Sequence, residues 1–309
     1  MSAGPNFEGR SILFRPLGAA LDGPPLVERG RQLLLDARSR RVRPGRDDKV
    51  LTEWNAMYAS ALAEAAGATG RADWARGAVA VGDFLLTHLR RGDGRWLRSW
   101  QSETGARHLA YAGDYAWLVD AFTRLGELTG AARWTAEARR VADELVALFH
   151  DEDGGGFFTT GHDAEALLVR PKDVLDGAVP SANGAAALSL ARLAALTGTS
   201  RYAELAGEVV DLVRPLLDRQ PTAVSYAAMA ADLLASGLTE VVVPGHHPDL
   251  VDTVRRTWRP RVVLAWGEPT GSPLWDEREA GFAYVCREGR CELPAPDAGT
   301  LSRQLQAAS

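Results

Sequence analysis

Carboxylates and amides stand at the start of three apolar helices that the sequence predicts. Asn55, Tyr115 and Asn183 occupy equivalent positions, since each lies fourteen residues before the threonine of a Thr-Gly pair. Residues on long loops and helix starts of a rigid frame often carry function. Carboxylates and imidazoles serve there as general acids and bases. We therefore predict catalytic roles for four residues near these helix starts: Asp48, Asp114, Asp176 and His108.

Further polar and aromatic side chains cluster around the same helix starts. Paired carboxylates perform the chemistry of glycosidases, and aromatic faces stack on sugar rings. These residue types are compatible with a carbohydrate ligand, although tryptophan also packs protein cores. The predicted substrate-binding residues are Asp47, Lys49, Trp54, Asn55, Tyr115, Arg170, Lys172, Asp173, Ser181 and Asn183.

Several of these residues also have a purely structural interpretation. Helix N-termini favour hydrogen-bond acceptors and carboxylates, so Ser181 and Asp114 are candidates for helix caps. Asp47 and Asp48 are candidates for solvated loop charges. Glu53 suits the first turn of a helix, where its charge complements the helix dipole. The sequence leaves both interpretations open.

A repeat predicts the elements that position these residues. The segments GATGRADWARGA (67–78), ELTGAARWTAEA (127–138) and ALTGTSRYAELA (195–206) align without gaps. Each Thr-Gly predicts a helix end, because glycine readily adopts the left-handed cap conformation. An alanine-rich apolar helix precedes each pair and an amphipathic helix follows it, which predicts inner–outer helical hairpins with tight turns. The returns to the next inner helix are long and rich in glycine, and GRWLRSW and GGFFTT within them predict short strands.

The repeat predicts a mainly α fold, a partial α/α toroid of the (α/α)6 type with about eight helices. Inner helices are expected at roughly 50–66, 114–128, 181–196 and 222–237, outer helices at roughly 71–90, 131–149 and 200–217, and a further helix at roughly 24–41. A closed toroid of six hairpins needs twelve helices, so this count is short of a ring. From residue 239 two apolar strands flank a helix, and GFAYVCREGRCELP predicts a further strand or hairpin. We predict two domains, the toroid at 1–238 and a small α/β subdomain at 239–309.

Composition limits the partners. The 309 residues carry a net charge of −5, and we expect neither nucleic-acid binding nor association with a membrane. Two cysteines exclude a disulfide framework and favour the cytoplasm. The C-x4-C spacing of Cys286 and Cys291 lacks a second pair for zinc, and adjacent His246 and His247 lack the spacing of helical ligands, so no metal or other cofactor is predicted.

The ordered motifs RPGRDDKVLTEWNAM, YAGDYAWLVDA, DGGGFF, RPKDVLDGAVPSANGAAALSLARL and AYVCREGRCELPAPD resemble a known family. They are similar to the C-terminal half of a thioredoxin-domain-containing family, called spermatogenesis-associated protein 20 in animals. The resemblance extends from PNFEGRSILFRP to the end of the chain. It implies a toroid similar to those of N-acylglucosamine 2-epimerases and other six-hairpin carbohydrate enzymes. Positions matching the family motifs are Asp47, Asp48, Lys49, Trp54, Asn55, Asp114, Tyr115, Lys172, Asp173, Asp176, Pro180, Ser181 and Asn183.

The chain also departs from the family pattern. Glu53 and Ala56 replace a small residue before the tryptophan and a glycine after the asparagine, and Gly113 replaces one of two acidic residues. The thioredoxin-like domain and the first toroid helices have no counterpart in this sequence. It contains no C-x-x-C, so the resemblance implies no thiol–disulfide role.

Two functions follow from this pattern. The first is a six-hairpin glycosidase-like or epimerase-like protein with a carbohydrate cleft on the long-loop side. The second is a non-catalytic interaction module. Such a module would complete its toroid with a separately encoded N-terminal half or by self-association, because an open arc leaves apolar helix faces exposed.

Overall fold

The computed structural model of the protein describes residues 7–10, 12, 14–15, 17–20, 23–287 and 289–307. The motif PNFEGRSILFRP therefore lies partly outside the described residues. The chain divides into two compact units, Met1–Asp48 and Lys49–Ser309. In the first unit, helix α1 spans Pro25–Ser39, where a helix was predicted at roughly 24–41. Pro25 lies in its first turn, and the helix buries no residue.

The second unit contains the predicted helical hairpins. Four inner helices pack side by side in chain order, and three of them are followed by an outer helix, which confirms the predicted fold class. The inner helices are α2 (Thr52–Thr69), α4 (Ala112–Thr129), α6 (Ala182–Thr197) and α8 (Ser225–Ser236). The outer helices are α3 (Ala72–His88), α5 (Ala132–Phe149) and α7 (Ser200–Arg219).

Burial follows the amphipathic pattern of each helix. Nearly every residue of α6 is buried, whereas α7 buries one face. The turns end as the Thr-Gly pairs predict: Gly70, Gly130 and Gly198 adopt φ of 70°, 68° and 69°. An L side chain would be strained there, and glycine avoids this cost. No helix among the described residues is long and apolar enough to cross a bilayer.

A three-stranded antiparallel sheet lies beside the inner-helix starts. Its strands are β1 (Val50–Leu51), β2 (Leu97–Gln101) and β3 (Gly105–Leu109), in the order β1-β2-β3. This confirms the strand expected in GRWLRSW. The prediction of a strand in GGFFTT is wrong, because this segment forms only an isolated β-bridge between His150 and Phe157.

The C-terminal part has the predicted α/β character. Strand β4 (Thr239–Pro244) runs parallel to β5 (Val262–Gly267) across helix α9 (Pro248–Arg255). Strand β6 (Tyr284–Arg287) pairs antiparallel with β4, and β7 (Arg290–Cys291) completes the order β5-β4-β6-β7. Helix α10 (Ala298–Ala307) follows and was not predicted. The boundary at residue 238 stays a prediction.

Candidate functional site

The carboxylate of Asp114 joins the N-terminal ends of α2 and α4. Its Oδ1 accepts a hydrogen bond from the backbone N–H of Glu53 at 3.0 Å. Its Oδ2 accepts from the backbone N–H of Tyr111 at 2.8 Å and from the guanidinium of Arg98 at 2.9 Å. The side chain is fully buried, and burial raises the pKa of this carboxyl although Arg98 opposes the shift. The structure thus gives Asp114 a bracing function, and its catalytic role stays a prediction.

The burial and the charged neighbours of Glu53 were not predicted from the sequence. It lies in the first turn of α2, as predicted, but only 9% of its surface is exposed. Its carboxylate lies 3.5 Å from the guanidinium of Arg98. Burial and the neighbouring charge of Asp114 raise its pKa, and Asp173 adds to this effect. Glu53 can therefore hold a proton at higher pH than an exposed glutamate.

Two further aspartates fix the start of α6. Oδ2 of Asp173 accepts from the backbone N–H of Ala182 at 3.0 Å, and Oδ1 of Asp176 accepts from that of Ser181 at 2.9 Å. Oδ2 of Asp176 also accepts from the backbone N–H of Tyr226 at 3.0 Å, which ties α6 to α8. Asp173 remains exposed, so its carboxylate is accessible to a ligand.

The cap predicted for Ser181 is present. Its Oγ accepts a hydrogen bond from the backbone N–H of Gly184 at 3.1 Å. In the first turn of α6, the buried amide of Asn183 accepts from the N–H of Phe157 at 2.8 Å and donates to the carbonyl of that residue at 2.9 Å. Asn183 therefore pins the glycine-rich return segment to the helix.

Arg170 and Lys172 brace that same return. Lys172 pairs with Asp151 at 2.7 Å, and Arg170 donates to the carbonyl of Thr160. The Arg170 guanidinium also lies 4.1 Å from the ring centroid of Phe158. Both cations are thus engaged within the protein, and their predicted contact with substrate stays a prediction.

The remaining predicted residues of the second unit are spread around the inner-helix starts. Tyr115 is buried, and its hydroxyl oxygen accepts a hydrogen bond from Arg95 at 2.8 Å. Asn55 donates to the carbonyl of Leu51 at 2.8 Å. The other three are exposed: Lys49, Trp54 and His108.

Asp47 and Asp48 belong to the first unit. Both lie in a segment without regular secondary structure, and both are exposed. Their place in the site stays a prediction.

A cavity of about 890 Å³ lies between the four inner helices and the segment that connects α9 to β5. It has the size of a typical small-molecule site, about 300–1,000 Å³. Pro180 and Tyr226 connect it to the braces described above, since both line the cavity. The described lining contains no histidine. It does contain the following polar and aromatic side chains: Glu64, Trp117, Asp120, Arg124, Arg192 and Tyr226.

Ion pairs order one end of this cavity. Arg192 is buried and donates to Glu127 at 2.9 and 3.1 Å and to the carbonyl of Val262 at 3.3 Å. Oε1 of Glu127 also accepts from the backbone N–H of Leu264 at 3.0 Å. Burial, together with the charge of Arg124, lowers the pKa of Arg192. Glu127 is thus committed to holding the cavity wall together.

Arg124 is held more loosely. Its guanidinium lies 3.6 Å from Asp120 and 3.7 Å from Glu127, distances longer than a hydrogen bond. Burial acts to lower the pKa of Arg124, but the charges of Asp120 and Glu127 outweigh it and raise the pKa. The guanidinium therefore has N–H groups on the cavity wall that can donate hydrogen bonds to the oxygen atoms of a polar ligand.

Aromatic rings complete the wall. The rings of Trp117 and Tyr226 meet edge to face, with centroids 5.6 Å apart. Burial and the charge of Asp120 raise the pKa of the Tyr226 hydroxyl, so it stays protonated near neutral pH. Trp117 Nε1 is buried and has no hydrogen-bond partner among the described residues.

Most residues of this cavity lie further along the inner helices than the predicted site residues, which stand at helix starts. A signal was present: Trp117, Asp120, Arg124 and Glu127 recur every three or four residues along an otherwise apolar helix. That spacing places them on one face of α4.

The fold and this cavity define a toroid-type protein built from helical hairpins, and its relatives are consistent with the sequence motifs. The chain is homologous to spermatogenesis-associated protein 20, which confirms the resemblance. The human protein is 28% identical over 305 residues, and the mouse protein is 27% identical over 306 residues. Both alignments cover 91% of this chain and 39% of the relative, so the chain spans well under half of these relatives' length. No family model matches the chain.

Solved structures similar to this chain are carbohydrate-active proteins. A cellobiose 2-epimerase from Spirochaeta thermophila has a TM-score of 0.45 and 16% identity, with 55% of this chain and 45% of that one covered. A family 76 α-mannanase from Bacteroides thetaiotaomicron has a TM-score of 0.42 and 13% identity, with 87% and 70% covered. Because these scores are below 0.5, the fold class rests on the chain's own hairpins.

Proposed function

We propose that the protein binds a carbohydrate in the cavity between α2, α4, α6 and α8, as a glycosidase-like or epimerase-like toroid. The loosely held guanidinium of Arg124 beside Asp120 carries the proposal. The guanidinium of Arg124 supplies hydrogen-bond donors and the carboxylate of Asp120 supplies an acceptor on one wall, whereas much of the remaining lining is apolar. Sugars need both kinds of contact, because their hydroxyl groups donate and accept while their ring faces are apolar.

Any chemistry in this cavity falls to carboxylates. Asp120 and Glu64 line it, and a carboxylate can act as general acid or base toward a sugar. Cleavage or epimerisation of a sugar is the proposed class of reaction. The braces at the helix starts, Asp114, Asp173 and Asp176, support this role by fixing where the inner helices begin.

Titration calorimetry with neutral monosaccharides, cellobiose and glucuronic acid tests the proposal. Arg124→Gln should weaken binding about tenfold or more, since a hydrogen bond to a charged group contributes about 1.5–3 kcal/mol. Arg214→Gln is the matched control, because Arg214 is an exposed arginine on the outer helix α7. Absence of binding at millimolar sugar, or equal loss in both variants, would refute the assignment of the cavity.

Asp120→Asn separates binding from catalysis. If Asp120 is the acid or base, this variant should bind the sugar but form no product in a proton NMR assay. Unchanged turnover would exclude Asp120 and direct attention to Glu64.

An interaction module is the second candidate, and one observation favours it. Trp54 and Tyr58, one helical turn apart on α2, are 58% and 57% exposed. Large exposed aromatic side chains are typical of surfaces that another polypeptide covers. Light scattering tests this: Trp54→Ser should convert an oligomer to monomer, whereas a monomer before the substitution argues against self-association.

A further inference from the structure

The two cysteines meet in the last hairpin of the C-terminal sheet. Cys286 on β6 and Cys291 on β7 are paired in register and form a disulfide, with their Cα atoms 4.0 Å apart. The backbone N–H of Glu292 bonds to the carbonyl of Val285, so the cysteine pair occupies a non-hydrogen-bonded position. Residues at such positions approach most closely, and the hairpin itself brings the sulfur atoms together.

The two sulfur atoms differ in access. Cys286 is 3% exposed and belongs to the apolar cluster on one face of the sheet. Cys291 is exposed on the two-residue strand at the sheet edge. A thiolate from solution can therefore reach Cys291, whereas the sheet shields Cys286.

A cation faces both sulfur atoms. The guanidinium of Arg278, on the segment between β5 and β6, lies 3.0 Å from Sγ of Cys291 and 3.6 Å from Sγ of Cys286. Arg278 is held there by the carbonyl of Leu274 at 3.3 Å and by the ring of Tyr284, 4.6 Å from its centroid. A neighbouring cation favours a thiolate over a thiol, and a better-stabilised thiolate is a better leaving group.

An acidic residue stands on the strand next to this pair. Glu240 on β4 lies directly opposite Cys286 in the register, so the two side chains share one face of the sheet. Burial raises the pKa of Glu240 to about 7.

We propose that Cys286, Cys291 and Arg278 form a thiol–disulfide exchange site that accepts electrons from a dithiol reductant. A reductant thiolate attacks Sγ of Cys291, the Cys286–Cys291 bond breaks, and Cys286 leaves as a thiolate beside Arg278. The second thiol of the reductant then attacks the mixed disulfide and releases Cys291. Two electrons and two protons pass from the dithiol to the protein, and the reductant leaves as a disulfide. This site is separate from the proposed carbohydrate cavity and does not depend on it.

Thiol counting on the full chain tests this. The air-oxidised protein is exposed to dithiothreitol, quenched with an alkylating reagent and weighed by mass spectrometry over time. Arg278→Gln should slow reduction about three- to tenfold, since it removes the cation beside the leaving group. Arg290→Gln is the matched control on the same hairpin, and it should stay within twofold of the unaltered protein. Arg278→Lys keeps the charge and should recover part of the rate.

A second measurement uses the unaltered protein and does not depend on the variants folding. A glutathione adduct, trapped during reduction, should map to Cys291 after trypsin cuts at Arg287 and Arg290. Three results would overturn the proposal: an adduct on Cys286, equal rates for Arg278→Gln and Arg290→Gln, or two free thiols in the air-oxidised protein.

Discussion

Replacing Asp114 by alanine should destabilise the protein more than any other change at the helix starts. The carboxylate holds the backbone N–H groups of Glu53 and Tyr111 and the guanidinium of Arg98, all within 3.0 Å. Removing one partner of a buried ion pair costs about 3–5 kcal/mol. Arg98 keeps a contact with Glu53 at 3.5 Å and is partly exposed, so we expect a loss near the lower limit, about 3 kcal/mol in the free energy of unfolding.

Asp114→Asn should cost less, about 1–2 kcal/mol, because the amide keeps one acceptor oxygen and the shape of the side chain. Asp73→Ala is the matched control. Asp73 also stands in the first turn of a helix and pairs with an arginine, Arg71, at 2.6 Å, but both side chains are exposed. Solvent screens exposed pairs, so this substitution should change the stability little.

Urea unfolding at pH 7, followed by circular dichroism and extrapolated to water, measures these differences. Asp114→Ala should lose clearly more stability than Asp73→Ala. If the two losses agree within about 0.5 kcal/mol, the Asp114 carboxylate does not brace α2 and α4 as described.

Two further predictions concern buried polar groups. Burial raises the pKa of Glu240 in the folded state to about 7, above the ordinary value of 4.5. The folded protein therefore loses stability as the pH rises from about 4.5 to 7. Glu240→Gln should increase the free energy of unfolding by about 1–2 kcal/mol at pH 8 and by little at pH 4, as measured by urea titrations at both pH values. An equal effect at both pH values would contradict the burial argument. Asn183→Ala should lower the free energy of unfolding by about 2–3 kcal/mol, because it leaves the N–H and the carbonyl of Phe157 without their partner. Asn55→Ala removes one hydrogen bond and should lower it by under about 1 kcal/mol. Thermal melts that rank the two asparagines in the opposite order would show that the return segment is held by other contacts.

The helices were predictable because their signals are local. Each Thr-Gly pair ends an inner helix, and the contrast between apolar and amphipathic segments separates inner from outer layers. Helix α10 was missed although Asp297 accepts from the N–H of Thr300, a cap that the sequence DAGT contains. Its ten residues follow a run rich in proline, where a short helix gives a weak periodic signal.

The candidate site was predictable only in outline. The positions of Asp114, Ser181 and Asn183 at helix starts follow from the repeat, and the cap interpretation of Ser181 is confirmed. Their burial and partners do not follow, because Asp114 meets Glu53 across 61 positions of the chain. The hairpin that pairs Cys286 with Cys291 is local, yet Arg278 reaches it only because the sheet folds back on that segment.

The sequence by itself determined the inner and outer helices, their tight turns, the long returns and the α/β character of the C-terminal part. These depend on residues within a few turns of one another, where spacing and propensity act directly. Only the tertiary structure decided which charges are buried and where a cavity forms. Three elements distant in sequence meet at the cavity wall, through Glu127, Arg192 and Val262. The charge state of a carboxylate depends on the neighbours that tertiary packing places around it.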